Sequence, residues 1–474
     1  MTTPGEAAGG RLSDRLGTAT RLAIGALPDG VKRRLAGPYN RVQTVRADRE
    51  FGRRSLPDRE PAQDAPRHVV CVVVDALRAD AVCRADSPFL AERLHASPVT
   101  PAPWTFPAVS SLVTGRYPHE HGAMRQSDRA DRGATDLVVP PELPDEETTL
   151  PEAFAGAGYD TYGAFGFHMP FFALGGRFAS HALYDKADAG TVVDGYLGWL
   201  DGRADHRTLS YLHLGDLHEP VVPPVEYARR YDVDTDIPDL ERWDYEAVPE
   251  VGSAGERYRE HRRRLYRAAV AYVDDQLERL RDRLRDRLEG DPVLVVTADH
   301  GEGFWEHAVF DAARFVDSRP AYCVDHGGTP YECIARVPLA VEGLDLAPVE
   351  DAARPASLVD LAPTLLDAIG LPEGLPASGR SLASRIPPGR TVLVEATRYG
   401  HERKAVYRDG WKLLVSRADD EAVGFALPRE VPTDLPADVE ADLASALPPW
   451  PDGERPDVRV SGLARDRLED LGYV

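Results

Sequence analysis

Three apolar runs, His68–Val74, Leu209–Leu214 and Val293–Thr297, lack the polar alternation that a half-buried strand would show. Runs of this length, rich in Val and Leu, predict strands buried on both faces of a mainly parallel sheet. Each run ends abruptly in polar residues: Asp75, then Gly215-Asp216-Leu217-His218-Glu219-Pro220, then Ala298-Asp299-His300-Gly301. The spacing of Leu265, Ala269, Val273, Leu277, Leu280, Leu284 and Leu288 predicts one long amphipathic helix over residues 257–289. Thr149–Phe154 followed by Gly158–Phe165 reads as a further helix and strand. Beyond residue 390 the pattern changes to short strands, Thr391–Glu395, Lys404–Tyr407 and Trp411–Val415, with Arg408-Asp409-Gly410 as a hairpin turn.

These elements predict an α/β protein with a large, mixed, mainly parallel central sheet flanked by helices. A smaller antiparallel sheet and a last helix, Leu463–Leu471, follow it. The expected divisions are an N-terminal extension and linker (1–66), a catalytic domain (67–390) and a C-terminal subdomain (391–474). The extension carries an expected helix at Leu16–Leu35, suited to rest on the protein or on a membrane surface, and a Pro- and Asp-rich linker, Ser55–Pro66. Residues 221–255 read as a long surface loop at a substrate entrance.

A helix N-terminus supplies the first chemical candidate. In Pro103-Trp104-Thr105-Phe106-Pro107-Ala108-Val109-Ser110-Ser111-Leu112-Val113-Thr114-Gly115, Pro107 fits only a first helical turn and Gly115 is a natural stop. Thr105 therefore stands at or beside the N-cap, where it either caps the helix or exposes a hydroxyl to the positive end of the macrodipole. Asp75 and Asp299-His300 lie at the ends of buried strands, where open α/β sheets bind ligands. Two carboxylates, an imidazole and a hydroxyl form one divalent-metal site if the fold brings them together. The imidazole favours Mn or Zn over Ca, and such an ion activates a weak hydroxyl nucleophile.

The 56 basic and 78 acidic side chains give a net charge of -22, which argues against a nucleic-acid-binding surface or a polybasic membrane patch. The chain is Arg-rich, and its lysines are Lys32, Lys186, Lys404 and Lys412. That composition fits either a halophilic protein or a GC-rich genome. Cys71, Cys83, Cys323 and Cys333 show neither zinc-ligand spacing nor a disulfide framework and read as reduced thiols in a cytoplasmic protein. No apolar run reaches the ~18 residues of a transmembrane span.

From about residue 67 onward the chain resembles the sulfatase branch of the alkaline phosphatase superfamily. The resemblance rests on ordered motifs: Val73–Arg78, Thr105–Gly122, Asp216–Pro220, Thr297–Glu302 with Trp305-Glu306-His307, His326–Leu339, Leu358–Leu366, Gly379–Leu382 and Leu468–Tyr473. It implies a fold and a site with Asp75, Thr105, Asp299 and His300 on one metal, a second metal being possible through Asp216, His218 and His326. It further implies Thr105, His218 and His326 as catalytic residues, and Arg78, Asp216 and His307 as substrate contacts. Sulfatases oxidise a Cys or Ser at the position of Thr105 to formylglycine and place an Arg where Val109 stands. Here Thr105 cannot become that aldehyde, Ala76 replaces a metal-binding Asp, His300 replaces an Asn, and a Lys expected near Phe165-Gly166-Phe167 is missing. The departures resemble phosphoryl-transfer members of the superfamily. The expected activity is hydrolysis or transfer of a small-molecule, glycan- or lipid-linked phosphate ester through a phosphothreonine. The alternatives are a sulfuric ester hydrolase and a catalytically silent binding protein of the same fold. The sequence leaves the oligomeric state open.

Overall fold

The computed structural model describes residues 29–128, 140–184, 186–244 and 253–451. The central sheet contains β1 (His68–Val74), β2 (Leu94–Ala96), β3 (Asp160–Phe165), β4 (Ser180–Leu183), β5 (Thr208–Leu214) and β6 (Val293–Thr297). A small ribbon of β7 (Gly303–Phe304) and β8 (Val324–Asp325) intervenes before the seventh strand, β9 (Leu339–Glu342). The order across the sheet is β2-β9-β6-β1-β5-β3-β4. Only the β9 pairings with β6 and β2 are antiparallel. The mixed, mainly parallel sheet is therefore as expected, with β5, β1 and β6 side by side at its centre.

Five helices matter for the argument: α1 (Asp29–Phe51), α2 (Thr105–Thr114), α3 (Ala189–Leu200), α4 (Ser253–Arg287) and α5 (Leu361–Ala368). β1 shows why its sequence is apolar throughout. Val70, Val72 and Val74 pack with α3 and α4, through Val192, Tyr196, Val273 and Leu277. Val69, Cys71 and Val73 pack on the other face with Phe106, Val109 and Leu112 of α2 and Leu361 and Leu365 of α5. With helices on both sides neither face can be polar, and each fully buried Val contributes ~1.5–3 kcal/mol.

The C-terminal sheet runs β10 (Val392–Val394), β11 (Lys404–Arg408), β12 (Trp411–Ser416), β13 (Glu421–Ala426) and β14 (Val431–Pro432), all antiparallel neighbours. The β11–β12 turn has φ of 49° at Asp409 and 85° at Gly410, the left-handed pair that a two-residue hairpin requires. A helix at Ala437–Ser445, which the sequence pattern did not reveal, covers this sheet through Leu443.

The expected helix at Leu16–Leu35 falls largely outside the described residues. The described helix α1 starts at Asp29 and docks on the protein, with Asp48 bonded to His181 at 2.8 Å and Asn40 bonded to His168 at 3.2 Å. The segment read as a linker is laid along the body, where Arg59 and Ala62 donate backbone bonds to Gly156 and Ile369. In the expected entrance loop, Val225–Arg230 is a short helix and residues 245–252 lie outside the described residues. The last expected helix, Leu463–Leu471, lies outside them as well. No helix among the described residues is long and apolar enough to cross a membrane.

Candidate active site

Asp75 and Asp299 follow the C-terminal ends of β1 and β6, so sheet register sets their separation; Val73 pairs with Thr297 across the two strands. Thr105 is the first residue of α2, after Trp104 in extended conformation. Gly115, at φ 69°, ends that helix and returns its N–H to Ser111. All four expected metal-site residues are buried together. Thr105 Oγ donates to Asp75 Oδ2 at 3.1 Å and lies 3.3 Å from His300 Nε2. His300 Nε2 is in turn 3.7 Å from Asp75 Oδ1 and 3.5 Å from Asp299 Oδ2.

The donor set suits a divalent cation. Asp75 Oδ1 and Asp299 Oδ2 are buried and accept no hydrogen bond. Ligand atoms of Asp75, Asp299 and His300 lie within 4.8 Å of one another. His300 Nδ1–H donates to Gly301 O at 2.8 Å, which leaves Nε2 as a lone-pair donor. Burial pushes the His300 imidazole down to about 3, so it is neutral, as a ligand must be. The carboxylates diverge. Burial would raise Asp75, yet its hydrogen bond to His213 and the nearby imidazoles hold it well below the carboxylate range. Burial and the charge of Asp75 push Asp299 well above it. Two facing carboxylates without a cation respond in this way, and a divalent ion would let both ionise.

His213 was not singled out from the sequence. From the end of β5 its Nε2–H reaches Asp75 Oδ2 at 3.1 Å, while Nδ1 accepts from Tyr211 Oη at 2.8 Å. This chain of bonds orients Asp75. The available signal was a histidine inside an otherwise apolar strand, which a satisfied core histidine also explains.

His326 and His218 stand beside the constellation. The His326 ring stacks on His300 at 4.2 Å and lies 5.2 Å from the His218 ring. Asp325 Oδ1 at 2.8 Å and Glu302 Oε1 at 3.4 Å face His326 Nδ1. Burial alone would lower this imidazole, but the two carboxylates raise it well above its ordinary range. Glu302, Asp325 and His326 form a second acidic–histidine cluster. Asp216, by contrast, turns to α3 and accepts from Ala189 N at 3.0 Å. Burial raises its carboxyl to about 7. His218 packs on Phe167 and bonds the Glu219 carbonyl through Nδ1. Phe167, Met169, Phe172, Lys186, Asp216 and His218 line a cavity of ≈ 140 Å³, so a lysine from beyond β4 reaches the region where the family's lysine is missing.

Arg78 and His307 line a second cavity together with Glu306. Arg78 binds Asp80, the Glu302 carbonyl and Glu306. His307 stacks on Tyr331 and pairs with Glu430 at 3.2 Å. Neither touches the Asp75–Thr105–Asp299–His300 group.

Comparisons with known proteins agree on the fold. Over 212 residues the chain is 29% identical to the uncharacterized sulfatase YidJ of Escherichia coli (strain K12), a match covering 42% of this chain and 38% of that protein. The chain thus spans about two fifths of the curated relative it matches. Among solved structures, BT4656 in complex with its substrate D-glucosamine-2-N,6-O-disulfate superimposes with a TM-score of 0.61 at 14% identity. That match covers 86% of this chain and 98% of BT4656. The phosphonate monoester hydrolase SpPMH from Silicibacter pomeroyi gives a TM-score of 0.56 at 17% identity, covering 80% and 93%. The sequence profile described as Sulfatase matches residues 67–371, and with the sheet order and strand-end site in place, the chain belongs to the sulfatase family, a family of ester hydrolases.

Proposed function

We propose that this chain is a metal-dependent phosphoric ester hydrolase or phosphotransferase that works through a phosphothreonine at Thr105. One observation carries the reading. Thr105 Oγ stands at the head of α2, 3.1 Å from Asp75 and 3.3 Å from His300, and a threonine cannot be converted to formylglycine.

The chemistry follows from named atoms. Thr105 has its hydroxyl proton directed at Asp75 Oδ2, which leaves an oxygen lone pair for in-line attack on phosphorus. Its β-branched side chain has few χ1 rotamers, which keeps that attack in one direction. A divalent cation, Mn or Zn by the imidazole in the set, would be held by Asp75, Asp299, His300 and Thr105; it would lower the pKa of the hydroxyl and offset phosphoryl charge. His326, held between Asp325 and Glu302, is placed to protonate the leaving alkoxide, and His218 faces the same space. A second in-line attack at phosphorus, by water or an alcohol, then releases Thr105. The cavity beside His218 would receive part of a small-molecule, glycan- or lipid-linked phosphate ester.

Three measurements test this reading. Rapid quenching with labelled phosphoester should trap label on the peptide containing Thr105, and an aryl phosphate or phosphodiester should turn over faster than an aryl sulfate. No adduct together with faster sulfate turnover would make the chain a sulfuric ester hydrolase, and no turnover of either would make it a binding protein. Elemental analysis of Asp299→Ala and His300→Ala should show loss of the metal; full occupancy in both sinks the site.

A further inference from the structure

Two of the four cysteines, ten positions apart in sequence, meet beside the Gly301–Glu306 segment. The Sγ atoms of Cys323 and Cys333 lie with a Glu306 oxygen inside a 4.8 Å group, so the two thiols are neighbours. Their backbones clasp the same stretch of chain. Glu302 N donates to Cys333 O at 3.1 Å and Trp305 N to Cys323 O at 2.8 Å. The clasp is tight: a Cβ on Gly301 would lie 2.1 Å from Cys333 O.

A divalent cation is a poor occupant, because Glu306 is already committed. One of its oxygens pairs with the Arg78 guanidinium and the other accepts from Phe304 N at 2.6 Å. That leaves two sulfurs beside a fixed positive charge, with no free third ligand. The thiols also differ in access. Cys323 is 1% exposed, whereas Cys333 is half-buried and lines a cavity of ≈ 460 Å³ together with Arg78, Glu306 and His307.

We propose that Cys323 and Cys333 are a redox-active dithiol that small organic disulfides such as oxidised glutathione convert to an intrachain disulfide. The Cys333 thiolate, reached through the cavity, attacks one glutathione sulfur; the glutathione S–S bond breaks, and one glutathione leaves as thiolate. Cys323, behind it, then attacks Cys333 Sγ, breaks the mixed disulfide and expels the second glutathione. The cysteines together lose two protons and two electrons, and the glutathione disulfide is reduced to two thiols. Its neighbour Cys323 and burial hold the Cys333 thiol above its ordinary range, so the exchange quickens as pH rises.

The test equilibrates the full-length protein in glutathione buffers from fully reduced to fully oxidised, alkylates the remaining thiols and maps the peptides. Oxidation should yield a Cys323–Cys333 cross-linked peptide, reversed by dithiothreitol. Cys71, enclosed in the core between the central sheet and α2, should stay reduced. Cys323→Ser should accumulate glutathione on Cys333, and Cys333→Ser should leave Cys323 as a thiol. If a variant fails to fold, the wild-type map decides alone. A stable wild-type adduct on Cys333 with Cys323 still alkylated would overturn the proposal. So would both thiols unchanged in the most oxidising buffer, or both protected by zinc seen in native mass spectrometry and released by a chelator.

Discussion

At the ends of β1 and β6 two buried carboxylates face each other, each with one oxygen that accepts no hydrogen bond. Around the C-terminal sheet, buried charge is matched by the chain itself. Lys404 Nζ donates to Glu395 at 2.5 Å and to the Pro449 carbonyl at 2.8 Å. Lys412 Nζ donates to the Pro330 carbonyl at 2.6 Å, to Glu332 at 3.3 Å and to Glu430. Both regions exclude water, so the contrast lies in what completes them. The lysines find their counter-charges within the chain and act as architecture, whereas among the described residues no Lys or Arg side chain pairs with Asp75 or Asp299, whose ionic neighbours are His213 and His300. Burial of charge alone does not mark a candidate site; burial with an uncompensated sign does.

Substitutions can break or sharpen that contrast. The largest effect belongs to the nucleophile. Thr105→Ala should lower phosphoester turnover by on the order of 10³-fold or more while metal content and melting temperature change little. Thr105→Ser should keep part of the activity; steady-state kinetics of the three proteins decides. Next, Lys412→Met should destabilise the fold by ~3–5 kcal/mol in denaturant titration, because Glu332 and Glu430 lose their buried cation, yet leave metal affinity unchanged.

A smaller effect is expected at His213. His213→Ala should weaken Mn or Zn binding by ~10–100-fold in calorimetric titration, and His213→Gln, which can still donate to Asp75, should lose less. The smallest effect tests the sign. Burial and the charge of Asp75 raise the Asp299 carboxyl above its unfolded value, so its ionisation opposes folding increasingly as pH rises through the unfolded pKa. In chelator-treated protein at neutral pH, Asp299→Asn should therefore match or exceed wild-type stability, by about 1 kcal/mol. With metal present the order should reverse. A loss of several kcal/mol in the metal-free variant would mean that Asp299 is architecture, like the lysines.

The central strands were legible because two-sided burial leaves continuous apolar runs, and α4, 35 residues long, because its apolar residues keep helical spacing from Leu265 to Leu284. Asp75, Asp299 and His300 were legible as candidates because they stand where those runs end, and Thr105 because Pro107 and Gly115 bracket a helix. β7 and β8 were not, since two-residue strands carry no period, and it is this ribbon that brings Asp325 and Glu302 to His326. The Cys323–Cys333 contact was hidden for a related reason: it depends on how both backbones close on Gly301–Trp305, which no spacing rule encodes. His213 was visible as a residue but not as a partner, because β5 and β1 become neighbours only in the folded sheet.

The clasp between the C-terminal sheet and the rest of the chain bears on how such a protein can be recombined. Arg403, fully buried, holds Asp311 at 2.9 Å, and Lys412 closes on Pro330 and Glu332. These acceptors belong to the stretch that frames His326. A crossover near residue 390 that imported a C-terminal sheet from a relative would have to import the matching acceptors as well, or strand a carboxylate without its cation. The two parts must therefore be inherited together, and swapping the sheet to alter specificity should succeed only when Asp311 and Glu332 travel with it.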